Sequence, residues 1–199
     1  METRPLSDPG ALRAMAHPVR LDLMELLATD GPLTATECAR RLGQTPANCS
    51  FHLRQLARHG FIEDAGAGAG RRRPWKVVAR GHSWDVGTGV PPAQRAAGEL
   101  LAHVIVDREL ARLQAWDHAR LDETRAWQDA AVLTQSGAFL TSEELAEIGR
   151  RIGELFVPFA DRVDPTQRPV GSRFVSGLAF FQPVVDDASG GSGAEVDDA

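Results

Sequence analysis

Amide, imidazole, phenyl and guanidinium side chains lie close together in the segment TPANCSFHLRQLARHGF, residues 45–61. The apolar residues Cys49, Leu53 and Leu56 follow helical spacing, which predicts a helix with one buried stripe. The outer faces then carry the side chains of Asn48, Phe51, His52, Arg54, Gln55 and Arg58. Amides hydrogen-bond to base edges and guanidiniums bind phosphate, so the displayed chemistry fits nucleic acid.

The two ends of this helix suit different parts of a DNA duplex. A helix in the major groove reads base edges with its amino-terminal residues, which here are Gln44, Thr45 and Asn48. Phe51 can contact a thymine methyl group, whereas Arg54 and Arg58 lie further along and suit backbone phosphate. An isolated amphipathic helix is more often only a core helix, so the neighbouring elements decide between the two interpretations.

Helix-start and helix-stop signals predict two helices before this one. The first runs from Pro18 to about Ala28, with a shorter helical piece, GALRAMA, in front of it. Thr34 and Glu37 have the spacing of a capping box, which predicts the start of the second helix. That helix ends near Leu42, with Gly43 just after it.

The break before the third helix is only GQ, after which Thr45 and Pro46 cap and start a helix that stops at Gly60. Next, FIEDA and PWKVVAR are predicted as short strands on either side of GAGAGRRR. Glycine permits the positive φ of a turn, so this predicts a hairpin whose tip carries Arg71, Arg72 and Arg73. A helix-turn-helix followed by a basic β-wing favours DNA binding.

The segments AHPVRLDLMELL and LTATECARRLGQTPANCSFHLRQLARHGFI, together with the wing, resemble the ArsR-type winged helix-turn-helix repressors over residues 11–80. The resemblance implies a homodimer that binds an inverted repeat of double-stranded DNA, represses transcription and releases the DNA when an effector binds. It also implies DNA contacts at Thr45, Ala47, Asn48, Ser50, Phe51, His52, Arg71, Arg72, Arg73 and Lys76. The long second half resembles the enlarged carboxy-terminal regions of some actinobacterial members.

Charge divides the chain into a basic and an acidic part. Residues 1–80 carry 12 Lys and Arg against 8 Asp and Glu, whereas residues 81–199 carry 10 against 19. A basic part suits a polyanion and an acidic part avoids one. In a mainly α fold with a small β-wing, we predict a DNA-binding domain at 1–80, a helical dimerisation and effector domain at 81–185, and a disordered acidic tail at 186–199.

Composition predicts a cytoplasmic protein. No apolar stretch approaches the ~20 residues of a membrane span, and residues 1–10 lack the apolar core of a secretory signal. The chain has two cysteines, which is typical of a reducing compartment. A single lysine beside abundant alanine and arginine indicates a GC-rich bacterial genome, where a DNA-binding protein would associate with the nucleoid.

The second half is predicted to supply a dimer interface. A helix from about Ala93 to about Ala131 carries a broad apolar band and would exceed about 50 Å, too long to be buried in one small domain. The easiest partner for it is its own copy in a second chain. Thr141 and Glu144 form another capping box before a further helix, and SRFVSGLAFFQPV is predicted as a strand.

Aromatic side chains crowd into this second half. Those that could line a pocket for an apolar or aromatic small-molecule effector are Trp84, Trp116, Trp127, Phe156 and Phe159. The alternative is that the aromatic residues form a dimer core without any cavity. The sequence leaves both interpretations open.

A metal- or redox-sensing repressor is the alternative regulator. Thr34 and Thr36 stand where arsenic- and cadmium-sensing members of the resembled family carry thiols, and hydroxyls are poor ligands for soft metals. Cys38 and Cys49 lie at core positions of their helices and are predicted to be small buried hydrophobic residues. The cysteines therefore do not favour a metal or redox sensor.

The histidines of the long helix are the other candidate ligands. His103 and Asp107 have the i, i+4 spacing of a ligand pair, and His118 lies on the same helix, but a salt-bridged or solvated role is favoured and no metal or cofactor is predicted. The chain has no glycine-rich phosphate loop, His-x-Glu motif or Gly-x-Ser-x-Gly motif, so no enzyme is predicted. A small-molecule-binding protein whose winged domain made only protein contacts would not need three arginines at a hairpin tip.

Overall fold

The computed structural model describes residues 3–66, 73–78, 81–84, 87 and 89–184. Four helices come first: α1 (Pro9–Met15), α2 (Pro18–Asp30), α3 (Ala35–Leu42) and α4 (Pro46–Arg58). Proline stands in the first turn of α1, α2 and α4, where its missing N–H removes no helical hydrogen bond. The predicted order of helices is confirmed, and so is the mainly α fold class with a small wing.

Capping residues determine where α3 and α4 begin. The Thr34 hydroxyl accepts a hydrogen bond from the Glu37 N–H, and the Glu37 carboxylate accepts one from the Thr34 N–H, which completes the predicted capping box. Gly43 takes a left-handed φ of 62° and ends α3. Thr45 then caps α4 by accepting from the Asn48 N–H. The short connection holds α4 beside α3.

Two short antiparallel strands form the base of the wing. In β2 (Ile62–Asp64) and β3 (Trp75–Val77), Glu63 lies opposite Lys76. Trp75 also exchanges two backbone hydrogen bonds with Leu33, of 3.1 and 2.8 Å, and thereby ties the wing to the residues before α3. The hairpin tip that the sequence predicts includes residues 67–72, which lie outside the described residues.

A second strand pair has no counterpart among the predicted elements. β1 (Thr3–Pro5) runs parallel to β4 (Gly81–Ser83), and the Leu6 N–H donates to the Ser83 carbonyl oxygen at 2.7 Å. This pairing joins the chain segment before α1 to the segment after the wing. Such distant partners leave no local pattern in the sequence.

One hydrophobic core lies beneath these elements and the first part of α5 (Pro92–Ala119). Its fully buried large side chains include Leu12, Leu23, Leu27, Leu53, Leu56 and Phe61. Ala97 and Leu101 of α5 belong to the same core, and α1 packs chiefly against α5. The packing of the winged domain therefore extends beyond residue 80, where we predicted the domain to end.

The predicted helix over residues 93–131 is wrong in its extent. α5 ends at Ala119, a 3-10 turn covers Arg120–Asp122, and α6 (Arg125–Ala130) follows. Glu123 adopts an extended backbone, and its carbonyl oxygen accepts from the Gln128 side chain at 2.8 Å, so the chain leaves the helical path there. With 28 residues, α5 is about 42 Å long at ~1.5 Å per residue.

The last helix, α7 (Ser142–Glu154), begins at the predicted capping box of Thr141 and Glu144. The predicted strand at residues 172–184 is wrong, because the described residues there form no strand. Their polar groups bond to side chains of α5 instead: Arg112 donates to the Ser176 hydroxyl at 2.8 Å, and that hydroxyl donates to Glu109 at 3.0 Å.

No helix in the described part of the chain is long and apolar enough to cross a membrane. The acidic tail predicted at 186–199 lies outside the described residues.

Candidate nucleic-acid interface

Packing determines which face of α4 is displayed. Cys49, Leu53 and Leu56 are fully buried, and α4 packs chiefly against α3, where Cys38 and Ala39 are buried. The opposite side of α4 faces solvent, as the helical spacing predicts. This helix therefore presents its polar side chains on a surface that the core holds in place.

The amino-terminal end of α4 carries a pair of bonded amides. The Asn48 side-chain NH₂ donates to the Gln44 side-chain oxygen at 2.9 Å, and the Thr45 hydroxyl accepts from the Asn48 N–H at 3.2 Å. The Gln44 NH₂ group and the Asn48 side-chain oxygen remain as a donor and an acceptor on the same surface. Such a pair can hydrogen-bond to a base edge from a fixed position.

The middle of α4 carries the next displayed groups. Arg54 donates to the Ser50 hydroxyl at 3.0 Å, which directs the guanidinium along the helix. The Phe51 side chain is 49% exposed, although apolar rings of this size are usually buried. Ala47 and Arg58 are exposed as well, so no bulky side chain blocks the approach at 47 and a cation is available at 58.

His52 is not on the outer face, and its predicted place there is wrong. The residue is 6% exposed, and it is the one buried polar side chain in the described part of the chain. It lies three residues after Cys49 and four before Leu56, and this spacing places it on the core side of the helix. Its ring instead meets His17 and Arg20, so the contact with DNA implied by the family resemblance has no support in its position.

The cations of the wing are partly neutralised by neighbouring carboxylates. Lys76 Nζ lies 3.1 Å from Glu63 Oε1, and Arg73 Nε lies 3.6 Å from Asp64 Oδ2. These pairs are exposed, so a phosphate can compete for either cation at little cost. Arg71 and Arg72 lie outside the described residues.

The five candidate effector residues do not converge on one pocket within a single chain. Trp84 borders a groove beside Leu6 and Gln94, near β1. Trp116 lines a different depression of about 190 Å³, together with Leu113 and Leu121.

The other three aromatic residues also have separate surroundings. The Arg173 guanidinium lies 5.1 Å from the Trp127 ring centre, and the Arg162 guanidinium lies 4.7 Å from that of Phe159. Phe156 is about half exposed. Within one chain, these five residues therefore line no common pocket.

Both cysteines are fully buried, which confirms their predicted place in the core. Burial raises the pKa of Cys38 to about 12 and also raises that of Cys49. The metal- and oxidant-reactive form of cysteine is the thiolate, so both thiols are held in their unreactive form. His103 and Asp107 are exposed on α5, and the described residues contain no group of three or more His, Cys, Asp or Glu placed to hold a metal ion.

Sequence reasoning missed His17 and Arg20. Arg20 donates from Nε to the Ala14 carbonyl oxygen and from a terminal nitrogen to the Arg13 carbonyl oxygen at 3.2 Å. Its other terminal nitrogen lies 3.5 Å from His52 Nδ1. The spacing of His52 from Cys49 and Leu56 already indicates that its side chain lies on the buried face of α4.

Residues 15–65 match the helix-turn-helix domain family. The match covers α2, α3, α4 and β2, the elements that build and display the surface described above. A comparison with curated proteins found no match. The fold and the family match together support a DNA-binding, transcription-regulating role rather than an enzymatic one.

Proposed function

We propose that the chain is an ArsR-type transcriptional repressor that binds an inverted repeat of double-stranded DNA as a homodimer. The observation that carries this proposal is the solvent-facing surface of α4 beside the wing. There, side-chain hydrogen bonds hold Asn48 to Gln44 and Arg54 to Ser50. Hydrogen-bonding groups fixed on a helix can read base edges, and cations on the same helix hold phosphate. The bacterial cytoplasm and its nucleoid are the location that this function requires.

Support for the homodimer comes from α5. Its side away from the winged core exposes Val106, Leu110 and Leu113, which follow one another at helical spacing. An apolar stripe of this kind is typical of a surface that another chain covers. A second copy would also place two α4 helices on one duplex, as an inverted repeat demands.

A small-molecule effector is the third part of the proposal. The aromatic side chains of Trp116, Trp127, Phe156 and Phe159 lie on the part of the chain that would meet the second copy, and an apolar ligand would bind among them. Binding there would favour one arrangement of the two winged domains over another and so release DNA.

The test is selection of duplexes from a random-sequence pool by the purified full-length protein, followed by footprinting of the selected site. We expect a symmetric footprint with half-site centres about one helical turn, ~34 Å, apart. A promoter that carries the selected site should be repressed in a reporter strain. Binding without sequence preference, or a single asymmetric half-site, would contradict the proposal.

A further inference from the structure

A cluster of the buried His52 and the partly buried His17 and Arg20 connects α4 to α1 and α2, and we call it the Arg20–His52 cluster. The imidazole rings of His17 and His52 have their centres 4.5 Å apart, and the Arg20 guanidinium lies 3.5 Å from His52 Nδ1. His52 is the one buried polar side chain among the described residues. His17 Nδ1 is the one buried side-chain nitrogen or oxygen among them that has no hydrogen-bond partner.

The cluster joins three elements of the winged domain. Arg20 belongs to α2 and bonds to the carbonyl oxygens of Ala14 and Arg13, at the carboxy-terminal end of α1. His52 belongs to α4, four residues from Asn48 on one side and two from Arg54 on the other. A change in the cluster therefore acts on the helix that displays the candidate base-reading groups.

Hydrogen-bond chemistry sets the charge of His52. A guanidinium has only donors, so a contact from Arg20 to His52 Nδ1 requires a lone pair on that nitrogen, and the ring must be neutral with its proton on Nε2. Burial lowers the pKa of both imidazoles, and the neighbouring Arg20 charge lowers them further. Protonation would place two or three positive charges side by side in a cluster that is only partly open to solvent.

The carboxylates of the surrounding elements are occupied elsewhere. Asp8 bonds to the start of α1, and Glu37 of α3 bonds to Thr34. In α2, Asp22 and Glu25 pair with Arg108 and Arg112, and Asp30 pairs with Arg41. In β2, Glu63 pairs with Lys76 and Asp64 pairs with Arg73. The other charged groups on the elements that pack against α4 are basic: Arg13, Arg40, Arg54, Arg58 and His59. An added charge on either imidazole would therefore meet mainly positive neighbours.

We propose that the Arg20–His52 cluster positions α4 for DNA binding, and that protonation of its imidazoles in mild acid displaces the helix and weakens sequence-specific binding. This inference rests on the proposed DNA-binding function of α4. The residues act as positioning residues, since His52 is buried behind the surface that meets DNA and the partly buried His17 and Arg20 contact it from α2 and its amino-terminal cap. The direction is unusual, because protonation of histidines at a DNA surface would strengthen binding to phosphate.

The test is the affinity of the full-length protein for a duplex selected at about pH 8, measured from about pH 8 to about pH 5.5. We expect the wild-type affinity to fall on the order of tenfold over this range, which corresponds to one unit of differential pKa. The His52→Gln variant should bind at the higher pH and lose most of this dependence, because glutamine can accept from Arg20 at every pH. The His118→Gln variant, at an exposed position of α5, should behave like the wild type.

Three results would overturn the proposal: a wild-type affinity that does not fall in acid, an equal fall for His52→Gln and the wild type, or imidazole pKa values of His17 and His52 at or above about 6.5 by NMR titration. If His52→Gln fails to fold, His17→Gln is measured and interpreted in the same way.

If the wild-type protein binds no selected duplex even at about pH 8, the proposed function fails instead. The free energy of unfolding, measured over the same pH range, then still tests the cluster. Because both pKa values are lowered in the folded state, the unfolded chain binds protons first, and wild-type stability should fall as the pH drops below about 6.5. The same fall should be smaller in His52→Gln, and an equal fall would overturn the proposal.

Discussion

The winged domain and the second half of the chain differ in how they bury their apolar side chains. All apolar residues that the structure shows to be buried lie at or before Leu101, and none of the later residues whose exposure is described is buried. The second half instead exposes large side chains such as Leu133, which is 84% exposed, and Phe174. The first region specifies a core that one chain can close, whereas the second leaves exposed apolar surface of the kind that a partner typically covers.

Ion pairs connect the winged domain to the second half of the chain. Arg108 and Arg112 of α5 pair with Asp22 and Glu25 of α2, with 2.7 Å between Arg108 and Asp22. Arg112 also donates to Ser176. One ionic network thus joins the closed winged core to α5 and to the segment that follows α7. A change in the contacts of the second half can therefore reach the winged domain through these ion pairs.

Charged residues on the exposed stripe of α5 should have the largest effect on assembly and DNA binding. Leu110→Glu with Leu113→Glu would place two carboxylates in the proposed dimer interface, so we expect a monomer in sedimentation and a loss of operator affinity of about a hundredfold or more through lost avidity. Removal of residues after 80 would be a poorer test, because it takes Ala97 and Leu101 out of the winged core.

The matched control for this change is Ala111→Glu. Ala111 is exposed and lies about 100° around the helix from Leu110, so it adds the same kind of charge away from the stripe. We expect this variant to remain dimeric. A dimeric Leu110→Glu, Leu113→Glu variant with full operator affinity would show that the stripe is not the interface.

The sequence predicted the first region better because its signals are local. Thr34 with Glu37, Gly43, and Thr45 with Pro46 mark helix ends within a few residues, and helical periodicity identifies the buried faces between them. The pairing of β1 with β4 joins distant segments, so no local pattern predicts it. The spacing of His52 indicates that its side chain is buried, but its contact with Arg20 of another helix has no local signal.

In the second half, the apolar pattern was a poor guide to structure. The band that predicted a helix to about Ala131 continues past the turn at Arg120–Asp122, because apolar side chains that stay exposed give the same sequence pattern as a buried face. Residues 172–184 have strand-like composition but bond to Glu109 and Arg112 through Ser176. Strand propensity reflects side-chain packing against neighbouring strands, and the described residues there have no strand to pair with.

Removal of the wing arginines should have the next largest effect. Replacing Arg71, Arg72 and Arg73 by alanine should weaken binding to operator and random duplexes alike, by up to about a hundredfold, and lower the slope of log K against log salt by up to ~0.9 per lost phosphate contact. Replacing Arg120, Arg125 and Arg150 of the second half removes the same charge and should leave the slope unchanged. Equal slopes for wild type and wing variant would show that the wing does not touch DNA.

Loss of a single base contact should have a smaller but more selective effect. Asn48→Ala or Phe51→Ala should cost about 1–3 kcal/mol on the preferred site and relax the preference at one base pair, because these side chains lie on the displayed face of α4. Arg54→Ala is the comparison variant, since loss of a phosphate contact weakens binding to every sequence equally. Titration against a panel of singly mutated sites separates the cases, and a uniform loss for Asn48→Ala would assign it a positioning role only.

The smallest expected effect is that of metal, for which we expect none. In the winged domain the thiols of Cys38 and Cys49 are fully buried and their raised pKa keeps them protonated, so neither offers a thiolate. In the second half His103 and Asp107 are exposed but supply two ligands from one chain, fewer than the four of a closed zinc site. Operator binding should therefore survive a strong chelator and ignore micromolar zinc, nickel or arsenite. A dimer that brings two such pairs together across its two-fold axis to bind a metal ion would contradict this prediction. Its signature would be stoichiometric metal in the purified dimer that is lost in His103→Ala, together with a change in operator affinity on metal addition.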